Sequence, residues 1–326
     1  MPRYDKKQIE AIAKEQGFTR DAYEKVIRLI DILRFVSEDK DLSKTLALKG
    51  GTAINLTMFA LPRLSVDLDF DFSENLSRNL MLEKREVIVS VLSRYMSAQG
   101  YSQSPKSKTS HSLDSFVYSY STSGGSSDNI KIEINYSLRS HVLPICEKYI
   151  TIPISGPRFN ILTLSPIEVY AGKTVAFLNR GAARDLFDLY NMISKDLFTS
   201  DDLVLFRKCT AFYSAIAGRH PITDNEKLTF PVITSQMIKT DLNPMLRTSE
   251  YFNADVANTF VSEWLIDCLI FTDSELLFGQ EFSKGLFEPE LLFNDLEVLD
   301  RIKNHPMAIW RTKDIVNLRQ AANNEI

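Results

Sequence analysis

The sequence predicts an α+β protein: a mixed sheet flanked by helices over residues 1–195, followed by a helical C-terminal domain over residues 196–326. Three observations carry this expectation. Strictly alternating apolar–polar segments, "SVDLDFDFS", "LDSFVYSYST" and "NIKIEINYS", are interleaved with segments of helical period in the first part. Beyond about residue 195 the apolar residues recur almost only at helical spacing, as in "ANTFVSEWLIDCLIFTDSELLFG" and "EPELLFNDLEVLDRIKNH". With 326 residues, the chain is long enough to bury two cores.

Taken in order, "MPRYDKKQIEAIAKEQG" reads as an amphipathic helix. "TRDAYEKVIRLIDILRFVSED" is a second, with Val26, Ile27, Ile30, Leu33 and Phe35 near helical period and Thr19 as its cap. "TLALKGG" is a short strand closed by Gly50 and Gly51, and "TAINLTMFALP" a helix running from Thr52 to near Pro62. After the strand "SVDLDFDFS", the helix "LEKREVIVSVLSRYMSAQG" stops at Gly100. The next two alternating segments form a hairpin about the turn "SGGSSD". "KYITIPI" is extended, Pro166 opens a helix within "LTLSPIEVYAGKTVAFLNRG", and "AARDLFDLYNMIS" is another helix beyond Gly181. The stretch between Pro221 and Pro244 reads as irregular connection.

Composition narrows the function classes. Hydrophobic residues at 44% and charged residues at 25% place the chain among globular proteins and exclude disorder. The most apolar stretch, "WLIDCLIFTDSELLFG", is interrupted by Asp267, Asp273 and Glu275, so no membrane span is expected. Cys146, Cys209 and Cys268 are odd in number and lack metal-ligand spacing, which predicts buried thiols in a reducing, cytoplasmic compartment. A net charge of -4 argues against a general polyanion binder, yet a local basic groove would still suffice for nucleic acid.

The chemistry is concentrated in residues 50–72, "GGTAINLTMFALPRLSVDLDFDF". Asp67, Asp69 and Asp71 alternate with Leu68, Phe70 and Phe72, so three like charges share one strand face. Residues two apart on a strand are about 6–7 Å apart, close enough for Asp67 and Asp69 to hold cations between them. Mg2+, with Mn2+ as the alternative, suits one or two carboxylates plus substrate phosphate oxygens. Gly50 and Gly51 permit close backbone approach, and a helix starting at Thr52 would offer its N–H groups to a triphosphate. A third carboxylate is expected from a neighbouring strand, where Glu133 lies on the polar face with Lys131 and Asn135. Asp71 competes for that place but lies one repeat further along. The plainer reading is a solvated edge strand beside an empty glycine turn; three aspartates directly after G-G-T favour the site.

G-G-T followed about a dozen residues later by S-x-D-x-D resembles the nucleotidyltransferase superfamily related to DNA polymerase β. More narrowly, "LKGGTAINLTMFALPRLSVDLDFDF", with the later "ARDLFDLY", resembles the AbiEii/AbiGii toxin family. These are nucleotidyltransferase-like toxins of type IV toxin–antitoxin and abortive-infection systems, with mycobacterial tRNA nucleotidyltransferase toxins among their relatives. The resemblance covers roughly residues 20–195 and is one of general character beyond. It implies a polymerase β-like domain, an NTP substrate held by Gly50, Gly51, Thr52 and Ser65, and metal held by Asp67, Asp69 and Glu133. It also implies transfer to an acceptor, the 3′ end of tRNA in these relatives, and a cognate antitoxin encoded nearby. A protein or small-molecule hydroxyl as acceptor, or a non-catalytic nucleotide-binding relative, stays open. A monomer is the default expectation.

A second constellation follows. A helix begun by Pro166 would align Val169, Lys173, Ala176 and Arg180, so that Lys173 reaches a phosphate and Arg180 extends the positive surface. Arg184 and Asp188 have the spacing of an ordinary helical ion pair, and Asp185 is favoured near a helix start by the dipole alone. The family resemblance implies an essential lysine and a downstream aspartate, carried here by Lys173 and Asp185. Asp185 would orient that lysine or act as a base. His111, His141, His220 and His305 are scattered without ligand spacing. "PKSKTSH" at residues 105–111 reads as a basic loop, and Arg311 and Lys313 beside Trp310 as a candidate nucleic-acid contact. Trp264 is expected to pack between helices.

Overall fold

The structure, a computed structural model, describes residues 5–151 and 157–324. The chain divides into two compact units. The first comprises Met1–Arg139, Ile145–Leu164 and Asn243–Tyr251, and the second Ser140–Pro144, Ser165–Leu242 and Phe252–Ile326. The helices over 166–194 gather with the later helices in the second unit.

In the first unit, helices α1 (Lys6–Gln16) and α2 (Arg20–Glu38) precede the sheet. Asp5 caps α1 by accepting from Gln8 N at 2.8 Å, whereas Thr19 occupies the N-cap of α2 without a side-chain bond. The strands are β1 (Leu46–Lys49), β2 (Asp67–Phe72), β3 (Ser102–Gln103), β4 (Lys108–Thr109), β5 (Leu113–Ser121), β6 (Ser127–Asn135), β7 (Cys146–Tyr149) and β8 (Asn160–Thr163). Their order is β3-β5-β6-β2-β1-β8-β7, with β4 beside β5. β1/β2, β5/β6 and β7/β8 are antiparallel, while β2/β6 and β1/β8 are parallel, so the sheet is mixed.

Alternation sorts the two faces of this sheet. Leu68, Phe70 and Phe72 of β2, with Ile130, Ile132 and Ile134 of β6, are buried together with Leu29 and Leu33 of α2 and Ile88 and Leu92 of α4 (Arg78–Ala98). Asp114 is the polar exception on the core side of β5. Arg85 holds it at 2.5 and 3.0 Å and Tyr136 donates to it at 3.0 Å, so the buried charge is fully partnered.

Three expectations about local structure change here. The segment read as a helix from Thr52 begins at Gly50 as α3 (Gly50–Ala53) and widens into a π turn over Ile54–Met58. Asn55 and Thr57 donate back to the carbonyls of Gly51 and Ala53, at 2.7 Å each, within this turn. Part of the basic loop is strand: Lys108 and Thr109 pair with Ser115 and Asp114. Of "KYITIPI", Lys148 and Tyr149 end β7, and residues 152–154 lie outside the described residues.

The second unit is helical: α5 (Pro166–Arg180), α6 (Ala183–Ser194), α7 (Ser200–Ile216), the single turn α8 (Ser235–Met237), α9 (Ala254–Cys268), α10 (Asp273–Lys284), α11 (Leu296–Ile302) and α12 (Pro306–Asn324). Capping boxes start α7 (Thr199 with Asp202) and α10 (Thr272 with Glu275). Phe212 sits within ring contact of Phe278, Phe287, Phe293 and His305 and forms the centre of this core. Trp264 packs on Phe206 with centroids 5.8 Å apart, as its helical position predicts. Among the described residues, no helix is long and apolar enough to cross a membrane.

Candidate functional site

Asp67 and Asp69 lie on the half-exposed face of β2, opposite its core residues. Parallel pairing places Asp69 beside Glu133 and Asp67 beside Lys131, while antiparallel pairing places Lys49 beside Asp69. Neighbouring strands are about 4.8 Å apart, so the register sets Asp67, Asp69 and Glu133 on one face of adjacent strands.

Asp71 is used differently. It is 2% exposed and its Oδ1 lies 2.6 Å from Nζ of Lys49. A buried carboxylate neutralised by its own lysine is part of the sheet's internal balance. Glu133 keeps a partly exposed side chain, with its Oε1 2.9 Å from Nζ of Lys131. Burial alone would lower the Lys131 pKa; its hydrogen bond to Glu133 and the charges of Glu133, Asp67 and Asp69 outweigh that and raise it. Neither Lys49 nor Lys131 was singled out as a site residue from sequence. The alternation that puts Lys131 on the face of Glu133 was visible there, but the pairing with β2 was not.

The glycine turn packs onto the same strand. Gly50 has φ +67°, and a Cβ built on it would lie 2.7 Å from Oδ2 of Asp69. A Cβ on Gly51 would meet the Arg63 guanidinium at 2.8 Å and Ser65 Oγ at 3.0 Å. At Gly50 the positive φ and the close approach together favour glycine. Thr52, fully buried, donates to Ser65 Oγ at 2.9 Å and to the carbonyl of Asp67, which ties the turn to the start of the carboxylate strand. Arg63 is also buried; its backbone N–H donates to Asn55 Oδ1 at 3.2 Å and its guanidinium to Leu64 O at 2.9 Å. Arg63 escaped the sequence reading, although it lies within the stretch of residues 50–72 that carries the chemistry.

The donor set suits a hard divalent cation: three carboxylates, all oxygen, on one face beside backbone suited to phosphate. Among the described residues, no three His, Cys, Asp or Glu side chains are drawn together closely enough to hold a metal ion as they stand.

In the second unit, Lys173 of α5 is 8% exposed, with Nζ 2.9 Å from Asp185 Oδ1 and 3.0 Å from Asp188 Oδ2. Arg180, largely exposed, donates through Nε to Asp185 Oδ2 at 2.8 Å and through Nη2 to Oδ1 at 3.0 Å. Burial would push the Asp185 pKa up, but the Lys173 charge and the Arg180 hydrogen bonds prevail and lower it. The ordinary helical pair expected between Arg184 and Asp188 does not describe Asp188, which turns inward to Lys173 while Arg184 is exposed. A cleft of this unit lined by Asn179, His220, Thr223 and Lys227 contains none of the expected site residues.

Two weaker candidates have structural employment. Arg311 donates to the carbonyl of Gly218 at 2.9 Å, closing the end of α7. His305 Nδ1 accepts from the backbone of Met307 and Ala308 at 3.2 and 3.3 Å, capping α12. Cys209 is buried, and Cys146 and Cys268 are partly buried free thiols.

No curated protein matches this sequence. Among solved structures, the fold is similar to MenT4, a nucleotidyltransferase toxin from Mycobacterium tuberculosis H37Rv, with a TM-score of 0.59 and 15% identity, covering 93% of this chain and 98% of that one. The sequence also matches the family described as nucleotidyl transferase AbiEii toxin, type IV TA system, over residues 34–264, a span that takes in the glycine turn, the carboxylate strands and the lysine–aspartate cluster. The chain belongs to the AbiEii nucleotidyltransferase toxin family.

Proposed function

We propose that the protein transfers a nucleotide from an NTP to the 3′ end of tRNA, releasing pyrophosphate, and that the blocked tRNA halts translation and growth. The observation that supports nucleotide transfer is the register of Asp69 beside Glu133, with Asp67 on the same face and the Gly50–Gly51 turn against Asp69; the tRNA acceptor rests on the family resemblance. A divalent cation there, Mg2+ or Mn2+, would polarise the transferring phosphoryl group and screen the charge of the leaving pyrophosphate. Gly50, Gly51, Thr52 and Ser65 would receive the triphosphate. Glu133, the most accessible third carboxylate, would accept the proton of the attacking hydroxyl.

Lys173 and Arg180 are assigned to nucleotide binding by sequence spacing and the family resemblance alone. Asp185 would act by holding Lys173, because a carboxylate kept below its ordinary pKa by two cations is a poor proton acceptor. All residues to which chemistry is assigned fall within 1–195, the proposed nucleotidyltransferase domain; 196–326 would be the helical C-terminal domain. The family implies an antitoxin partner. We place its gene nearby and the toxin in the cytoplasm as a monomer.

Incubating the protein with each α-labelled NTP and a mixture of tRNA, cell protein and small-molecule acceptors tests the proposal. Label on tRNA, lost on removal of the 3′-terminal nucleotide, supports it. Label on protein or on a small molecule replaces the acceptor, and nucleotide binding without label on anything makes the chain a non-catalytic relative.

A further inference from the structure

We propose that Lys131 is the resident counter-ion of the carboxylate face: it holds Glu133 until a divalent cation displaces it, and thereby sets how readily metal loads. This inference rests on the metal reading above. Lys131 is the register partner of Asp67 and shares its face with Glu133, two residues along β6. Its ammonium lies 2.9 Å from Glu133 Oε1, where it takes up one of the oxygens a metal would need.

The two lysines on this face are not equivalent. Lys49 is held by a carboxylate that is 2% exposed, so its removal would leave a buried charge. The Lys131 side chain is 42% exposed and that of Glu133 is 28% exposed. Exposed pairs of this kind contribute only about 0–1 kcal/mol, so the bond is cheap to break and the fold does not depend on it. What the lysine does supply is a positive charge 2.9 Å from Glu133, on the face that carries Asp67 and Asp69. A divalent cation entering the face meets that charge as a competitor, and Glu133 turns toward metal only when Lys131 swings into solvent. This accounts for a face with the right register whose carboxylates do not yet converge.

The test is direct titration of the full chain with Mn2+, without nucleotide, followed by electron paramagnetic resonance of the free ion. Wild type, Lys131→Met, Lys131→Arg and Glu133→Gln are compared, each first checked by circular dichroism. Lys131→Met is expected to bind Mn2+ about tenfold more tightly, because a like charge near the ion is gone. Lys131→Arg is expected to match wild type, and Glu133→Gln to bind more weakly. Equal or weaker binding by Lys131→Met, with Glu133→Gln still weakened, overturns the role of Lys131 and leaves the metal reading standing. If neither wild type nor Lys131→Met binds Mn2+, the metal reading falls and this inference falls with it.

Discussion

Asp69 and Glu133 stand side by side in register on adjacent parallel strands, each on the face turned away from the core. Two carboxylates about 5 Å apart repel, and the cost is accepted only where a cation offsets it. Glu133→Gln is therefore expected to lower nucleotide transfer by about a hundredfold or more while leaving the melting temperature unchanged or slightly raised. Steady-state transfer assays with thermal melts check both halves of the statement.

Asp71 is expected to behave in the opposite way. Its partner Lys49 sits at 2.6 Å and the carboxylate is buried. Lys49→Met removes the ammonium 2.6 Å from that charge and should cost about 3 kcal/mol of stability, whereas the double variant Lys49→Met/Asp71→Asn should recover much of it. Urea denaturation of both variants measures the recovery. No recovery would show that Asp71 is not held as a structural pair.

Gly50→Ala places a Cβ 2.7 Å from Asp69 Oδ2 at a backbone angle of +67°. The strain is expected to cost about 1–2 kcal/mol and to displace the Asp69 side chain. A fall of a few degrees in melting temperature should accompany a loss of Mn2+ binding larger than that stability change explains. Thermal melts and Mn2+ titration on the same preparation give both numbers.

In the second unit, Lys173 bridges two buried carboxylates, so Lys173→Met should destabilise by about 3–5 kcal/mol. Asp185 also has a folded-state pKa lowered below the ordinary aspartate value. Its contribution to stability is thus present above the unfolded pKa of about 4 and is lost as pH falls through the lower folded value. Urea midpoints followed from neutral pH downward should fall in wild type through that acid window, and fall less steeply in Asp185→Asn.

Much of the carboxylate face was legible in the sequence because it is written in local pattern. Alternation alone assigns Asp67, Asp69 and Asp71 to one side of β2 and Glu133 to the polar side of β6. What alternation leaves open is which strands are neighbours. The pairing of β6 with β2 is a long-range parallel contact that sets Glu133 beside Asp69, while burial and the Lys49 pair set Asp71 apart. Lys131 acquires its importance by the same contact. The inward turn of Asp188 toward Lys173 was hidden for a related reason: within α6 its i,i+4 partner is Arg184, and only the packing of α5 against α6 brings Lys173 nearer. The short strands β4 and β8 carry too few residues for a periodic signal.

The most direct test of the central claim is nucleotide transfer by wild type and by Asp69→Ala, with pyrophosphate release measured in the same reaction. Circular dichroism first checks that Asp69→Ala is folded. The account predicts that wild type transfers label to tRNA with one pyrophosphate per nucleotide, and that Asp69→Ala loses about a thousandfold of that rate. A correctly folded Asp69→Ala protein that transfers nucleotide at the wild-type rate would contradict it.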